Sequence, residues 1–393
     1  MGATMAHDPI YPTFSDAEYA RRYSEVRARM DNAGVSTLVF FGRGGTPEIH
    51  YLCNWQTTTE AWLVFPNEGD STLFVQLSNH LPNAKRMAII DDVRFGGSGP
   101  TGGVDSVPTV VEHLKERGLE HAHIGIVGGI PYQQYFRLQE ALPGVEWSDF
   151  SGQMRDQRHV KSLEEIERMR IAASLSDRSV MALVENMRPG MTEHQLARII
   201  DDAFMDDGGL STVRFLISTS MRNAHGGVPQ QHLSPRVLQT GDVVASELSA
   251  SYWGYTGQVL RSFTIGEEPT PEYRDLHDVA REAFEAVAAV IKEGTTIDEV
   301  LDAADVVTQR GYTIYDDFLH GAGQLPPILR TRDTSRGYPE NFRFKENMCL
   351  VIQPNVVTHD GMKGVQFGEM FRVTKTGLEQ MHDCPRQFFV VAN

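Results

Sequence analysis

The chain has 393 residues, 41% of them hydrophobic, and carries 36 Lys and Arg against 52 Asp and Glu, a formal net charge of −16. This length predicts two or three domains with a sizeable core. The negative charge excludes nucleic acid and an anionic membrane surface as main partners.

The longest apolar runs, TLVFF, AWLVF and FFVVA, fall far short of the roughly 20 residues of a membrane-crossing helix. The opening MGATMAHDPIYPTFSD has neither the basic start nor the apolar stretch of a secretory signal. Cys53, Cys349 and Cys384 are scattered, which suits a reducing compartment better than a disulfide framework. The expectation is a cytoplasmic protein acting on a small molecule, with no membrane partner.

In chain order, DAEYARRYSEVRARMDNAG (16–34) reads as a helix stopped by Gly34. STLVFFG is a buried strand, and AWLVFP and STLFVQL form a hairpin across NEGD. VPTVVEHLKERG reads as a helix, HIGIVGG as a strand and YQQYFRLQEALPG as a helix, so residues 1–157 are expected to form an α/β domain. Residues 161–187 form a long amphipathic helix opened by a capping box of Ser162 and Glu165. From residue 211 the pattern is rich in strands and turns.

A weak internal repeat runs through residues 158–393. RPGMTEHQLARIIDDAFMDDGG (188–209) resembles KEGTTIDEVLDAADVVTQRGY (292–312), and each follows a long helix and precedes β-rich sequence. Two such units predict an α+β domain of pseudo-twofold symmetry, helices on a curved antiparallel sheet, with a site between the halves. One motif is set aside: GSGPTG (97–102) matches GxGxxG but follows a short charged segment and contains a proline, which reads as a loop rather than a dinucleotide site.

Polar residues inside apolar strands carry the chemistry. They are His225 in NAHGG, Glu247 and Gln258 in GDVVASELSASYWGYTGQVLRSF, His320 in HGAGQ, Gln353 in VIQPN and Glu369 in FGEMF. Singly, each has a bland reading as a core, turn or solvent-face residue. Jointly, they mark one site, because an unanswered polar group in a strand costs about 1–3 kcal/mol.

These segments, with KSLEEIERMRIAA, RPGMTEHQLA, MCLVIQPNVV and FRVTKTG, resemble the pita-bread family of creatinase, prolidase, aminopeptidase P and methionine aminopeptidase. FSDAEYARRYSEVRARM extends the likeness to creatinase's opening helix. The resemblance implies an α/β N-terminal domain followed by a pita-bread, creatinase-like catalytic domain with pseudo-twofold αβ repeats, and a homodimer in which the N-terminal domain closes the partner's site. In CNWQTTTEAW, Trp55 and Glu60 are the capping candidates.

Metal-dependent members bind two divalent ions through Asp, Asp, His, Glu and Glu. The matching positions here are Glu247, Gln258, His320, Gln353 and Gly368, with Glu369 just beyond. Amides and a glycine are poor partners for a hard dication, so the resemblance implies the metal-free branch of creatinase and ectoine hydrolase, with no cofactor. By that likeness His225 is the general acid/base, a role suited to an imidazole near neutral pH, and Glu247 and His320 position water and substrate. Gln258, Gln353, Glu369, Tyr252 and Tyr255 shape the pocket, and Arg261 is structural. Creatinase's additional carboxylates are Leu260 and Gln353 here, and a further family histidine is Pro327, which argues against creatine as substrate. A lyase or decarboxylase, an Xaa-Pro peptidase with a residual metal on Glu247, His320 and Glu369, and a non-catalytic binding protein stay open.

Overall fold

A computed structural model describes residues 11–98, 105–335, 337–339 and 341–392, so residues 99–102 of GSGPTG lie outside the described residues. Two compact units divide at Arg158 and His159.

In the first unit, α1 (Asp16–Ala33) starts at Ser15, whose hydroxyl accepts the Glu18 N–H, and stops at Gly34 with φ of 65°. Glycine suits that left-handed position. Six strands follow: β1 (Thr37–Gly42), β2 (Ala61–Pro66), β3 (Thr72–Val75), β4 (Asp92–Phe95), β5 (His123–Val127) and β6 (Glu146–Asp149). They form one sheet in the order β4-β3-β2-β1-β5-β6. The hairpin across NEGD is the antiparallel β2–β3 pair, and the charged segment before GSGPTG is the edge strand β4. Helices α2 (Pro47–Cys53), α3 (Leu81–Met87), α4 (Val107–Glu116), α5 (Tyr132–Ala141) and α6 (Ser151–Gln157) complete the unit. Its core packs Val39, Trp62 and Phe74 of the sheet against Val110, Leu114 and Leu138 of α4 and α5.

The second unit opens with α7 (Leu163–Asn186), and both arms of the Ser162–Glu165 capping box are made. Helix α8 (Glu193–Asp202) and strands β7 (Leu210–Ser220), β8 (Asp242–Tyr252) and β9 (Tyr255–Ile265) complete one repeat. The other comprises α9 (Pro271–Val290), α10 (Ile297–Ala304), α11 (Val306–Gln309) and strands β10 (Thr313–Ile314), β11 (Leu319–Gly321), β12 (Leu325–Leu329), β13 (Cys349–Ile352), β14 (Val356–Val357) and β15 (Gly368–Val373). Last come β16 (Leu378–Gln380) and β17 (Phe389–Val391).

The repeat is visible at its helix starts. Thr192 and Thr296 each form a full capping box, and each also makes an isolated bridge, to Val237 and Arg343 respectively. The large sheet runs β12-β11-β13-β15-β9-β8-β7, with β16 on β15 and β17 on β9. The two halves meet where Gly368 pairs with Leu260 and Glu369 with Val259. Phe284 of α9 packs with Ile352 and Phe371 in one core, and Leu183 of α7 with Val244, Leu248 and Val259 in another.

Candidate active site

Strand register decides which side chains meet. In the β8–β9 hairpin Glu247 lies opposite Leu260, and Ser249 opposite Gln258. Successive side chains alternate between faces, so Glu247 and Gln258 share one face. The Gln258 amide nitrogen donates to Glu247 Oε1 at 2.9 Å and to Gln353 Oε1 at 2.9 Å. Gln353, just after β13, in turn donates to the Asp317 carbonyl at 3.1 Å. A chain of hydrogen bonds thus crosses the seam between the repeats. Burial first, and the charge of Asp316 second, push the Glu247 carboxyl up to about 7.

His320 is 1% exposed. Its Nδ1 lies 2.9 Å from the Gly321 carbonyl, a contact that requires the proton on Nδ1 and leaves Nε2 an acceptor. Burial pulls the imidazole below its ordinary value, against the opposing Gly321 carbonyl, Gln353 side chain and Asp316 charge. Nε2 is buried without a hydrogen-bond partner.

His225 is exposed. The Thr219 hydroxyl accepts its backbone N–H at 3.0 Å and lies 2.9 Å from Nδ1, which sets the ring. The turn folds back along β7: a Cβ on Gly226 would come 2.9 Å from Ile217 Cδ1, and Gln230 bridges Leu216. Ile217 pairs with Ala245, two residues from Glu247 on the same face, roughly 7 Å along the strand. Gly227 has no room for a side chain against Lys363 and Gly364, so the NAHGG glycines seat the turn.

Three pocket candidates, Tyr252, Tyr255 and Glu369, lie off this face. Tyr252 and Tyr255 stand at odd spacings from Glu247 and Gln258 and occupy the other face of the hairpin. The Tyr255 hydroxyl donates to Glu165 of α7 at 3.0 Å, and Tyr252 packs against the α7 core. Glu369 follows the site-face Gly368 on β15 and so turns away; it is held by Arg261 at 2.6 Å and Arg386 at 2.6 Å, fully buried. Arg261 also donates to the Gly368, Cys384 and Pro385 carbonyls, which makes it a structural tie. Glu60 is 2% exposed in the first unit and accepts from Trp62 Nε1 and Gln134 Nε2, each at 2.9 Å. Trp55 is buried in the same unit.

The structure also brings in residues that sequence reasoning missed. Asp316 and Asp317, just before β11, influence Glu247 and each other electrostatically. Burial and the neighbouring Asp316 raise the Asp317 carboxyl strongly. Asn355 donates to the Asp317 carbonyl at 3.1 Å. The signal was present as two adjacent acids before an apolar strand, four and three residues ahead of His320, but a DD pair reads by default as a solvated turn.

The chain matches the model of metallopeptidase family M24 over residues 167–375 and that of the creatinase/prolidase N-terminal domain over residues 22–160. It belongs to family M24. An uncharacterized hydrolase/peptidase of Sinorhizobium fredii is 25% identical across 96% of this chain and 98% of its own length. An Xaa-Pro dipeptidase of Pyrococcus furiosus is 25% identical across 67% of this chain and 74% of its own length. The X-Pro aminopeptidase of Thermotoga maritima superposes with a TM-score of 0.80 at 20% identity, covering 94% of this chain and 99% of the neighbour, which establishes the pita-bread fold.

The family's name implies divalent metal, and the residues present do not fit one. Gln258 spends its amide hydrogens on Glu247 and Gln353, so a donor stands among the oxygens that a cation would need. At Gly368 a Cβ would lie 2.4 Å from the Ile352 carbonyl oxygen and 2.7 Å from Gln353 Cα, which leaves no space for a carboxylate. Glu369 is committed to two arginines. Among the described residues no group of three or more His, Cys, Asp or Glu is arranged to hold an ion.

Proposed function

We propose that this chain is a hydrolase that cleaves a C–N bond in a small polar nitrogen compound without a metal centre. The observation that carries the reading is the Gln258 amide bridging Glu247 and Gln353 where relatives are expected to gather carboxylates. Membership of a peptidase family and the names of the relatives support hydrolysis.

In this reading His225 takes a proton from water, the water oxygen bonds to the scissile carbon, and the C–N bond breaks as the same imidazole returns the proton to the leaving nitrogen. The Thr219 contact on Nδ1 orients the ring for this. Glu247, raised to about 7, is protonated in part at neutral pH and donates to the oxygen that gains charge. Gln258 keeps its Oε1 as an acceptor and Gln353 one N–H as a donor for neutral amide or carboxylate groups of the substrate.

The test is a screen of small amides, amidines and ureido compounds in the presence of EDTA, with His225→Ala as control. Turnover that survives EDTA and falls about 10²-fold or more in the variant supports the reading. Turnover unchanged in His225→Ala removes His225 from the reaction. The relatives' names favour a second reading, an Xaa-Pro dipeptidase; Xaa-Pro cleavage that requires added Mn²⁺ or Co²⁺ would establish it instead.

A further inference from the structure

Two buried side-chain oxygens near the start of β11 have no donor. Asp317 is 8% exposed, and its Oδ2 is buried with no hydrogen-bond partner. Asn355 is 3% exposed; it spends Nδ2 on the Asp317 carbonyl and leaves Oδ1 buried and unpartnered. Unanswered buried acceptors are costly, and a ligand bearing several N–H donors would answer them.

Charge points the same way. Asp316 is exposed beside the buried Asp317, accepts the Asp317 backbone N–H at 2.8 Å and interacts with its carboxyl. The two acids line one wall of a cavity of about 250 Å³, bounded also by Arg330 and Tyr338. Arg330 donates to the Tyr315 carbonyl at 2.8 Å through one terminal nitrogen, its Nε is buried without a partner, and among the described residues no ion pair joins it to either acid. Close carboxyls of this kind hold a proton in the empty state, and a cation that brings its own hydrogens replaces it.

We propose that Asp316 and Asp317, with Asn355, form a subsite for a cationic nitrogen carrying at least two N–H donors, an ammonium or amidinium group of the substrate. This rests on the reading of Glu247, which Asp316 and Asp317 influence, as part of a substrate site, and it assigns the polar end that the substrate presents beside it. Asp317 supplies the buried charge, Asp316 the charge at the mouth, and Asn355 the neutral acceptor.

Calorimetric titration of the EDTA-treated full chain at pH 8 tests it with three probes of matched length: butylamine, 4-aminobutyrate and butyrate. The expected result is binding of the two amines and at least tenfold weaker binding of butyrate. Asp317→Asn should weaken the amines at least tenfold, with Asp316→Asn as the second variant should the first fail to fold. Equal binding of butyrate, or amine binding indifferent to both aspartate variants, overturns the subsite. Saturable Mn²⁺ binding that both aspartate variants abolish, with no amine binding, also overturns it. Because binding is read without turnover, failure to hydrolyse C–N bonds and failure to bind amines are separate results.

Discussion

Gln258 is the residue on which the site's character turns. Its amide satisfies one oxygen of Glu247 and one of Gln353, and a carboxylate there would remove both donors and add like charge. Gln258→Asp is predicted to lower stability by about 2 kcal/mol at pH 8. The loss should shrink at pH 5, where the paired acids share a proton; urea melts at the two pH values measure it. A buried histidine outside the site gives a second prediction. His277 of α9 is 6% exposed, stacked on Phe388 with centroids 5.0 Å apart, and burial lowers it from 6.5 to about 4. The unfolded chain takes that proton near pH 6.5, whereas the folded chain refuses it until about pH 4. Stability is therefore complete above pH 6.5 and falls by up to about 3 kcal/mol as the pH drops towards 4. His277→Phe should flatten that part of the stability–pH curve; an unchanged slope would show that His277 contributes nothing to acid unfolding.

At the scale of elements, close approach and capping set the helix positions. A Cβ on Gly257 of β9 would meet the Ala173 backbone of α7 at 2.2–2.4 Å, so Gly257→Ala is predicted to cost about 3 kcal/mol through displaced packing. Thr296→Ala removes one capping box and should cost about 1 kcal/mol. Thermal melts of the two variants should rank in that order. The same elements show what was legible in the sequence. The capping boxes, the repeat they punctuate and the β8–β9 hairpin were readable because each depends on local spacing. The faces of the strands were not respected in choosing pocket residues: Tyr252, Tyr255 and Glu369 lie an odd number of positions from Glu247, Gln258 and Gly368, and alternation sends them to the opposite side. Glu369 could have been excluded from the pocket on that ground alone. Its partner Arg261 lies 108 residues away along the chain and left no local signal.

At the scale of the molecule, the order of units and the family followed from motifs spread over most of the chain, whereas the acidic pair Asp316–Asp317 became visible only when the second repeat folded against the first. No helix among the described residues is long and apolar enough to cross a membrane. The central claim is that a peptidase-family fold here carries a site whose donors exclude the family's metal centre. Elemental analysis of the purified protein by mass spectrometry, after dialysis against metal-free buffer, tests it most directly. The account predicts far less than one equivalent of any transition metal per chain. One or two tightly held equivalents would contradict it, requiring Glu247 and His320 to be ligands and moving Xaa-Pro peptides to the front of the substrate search.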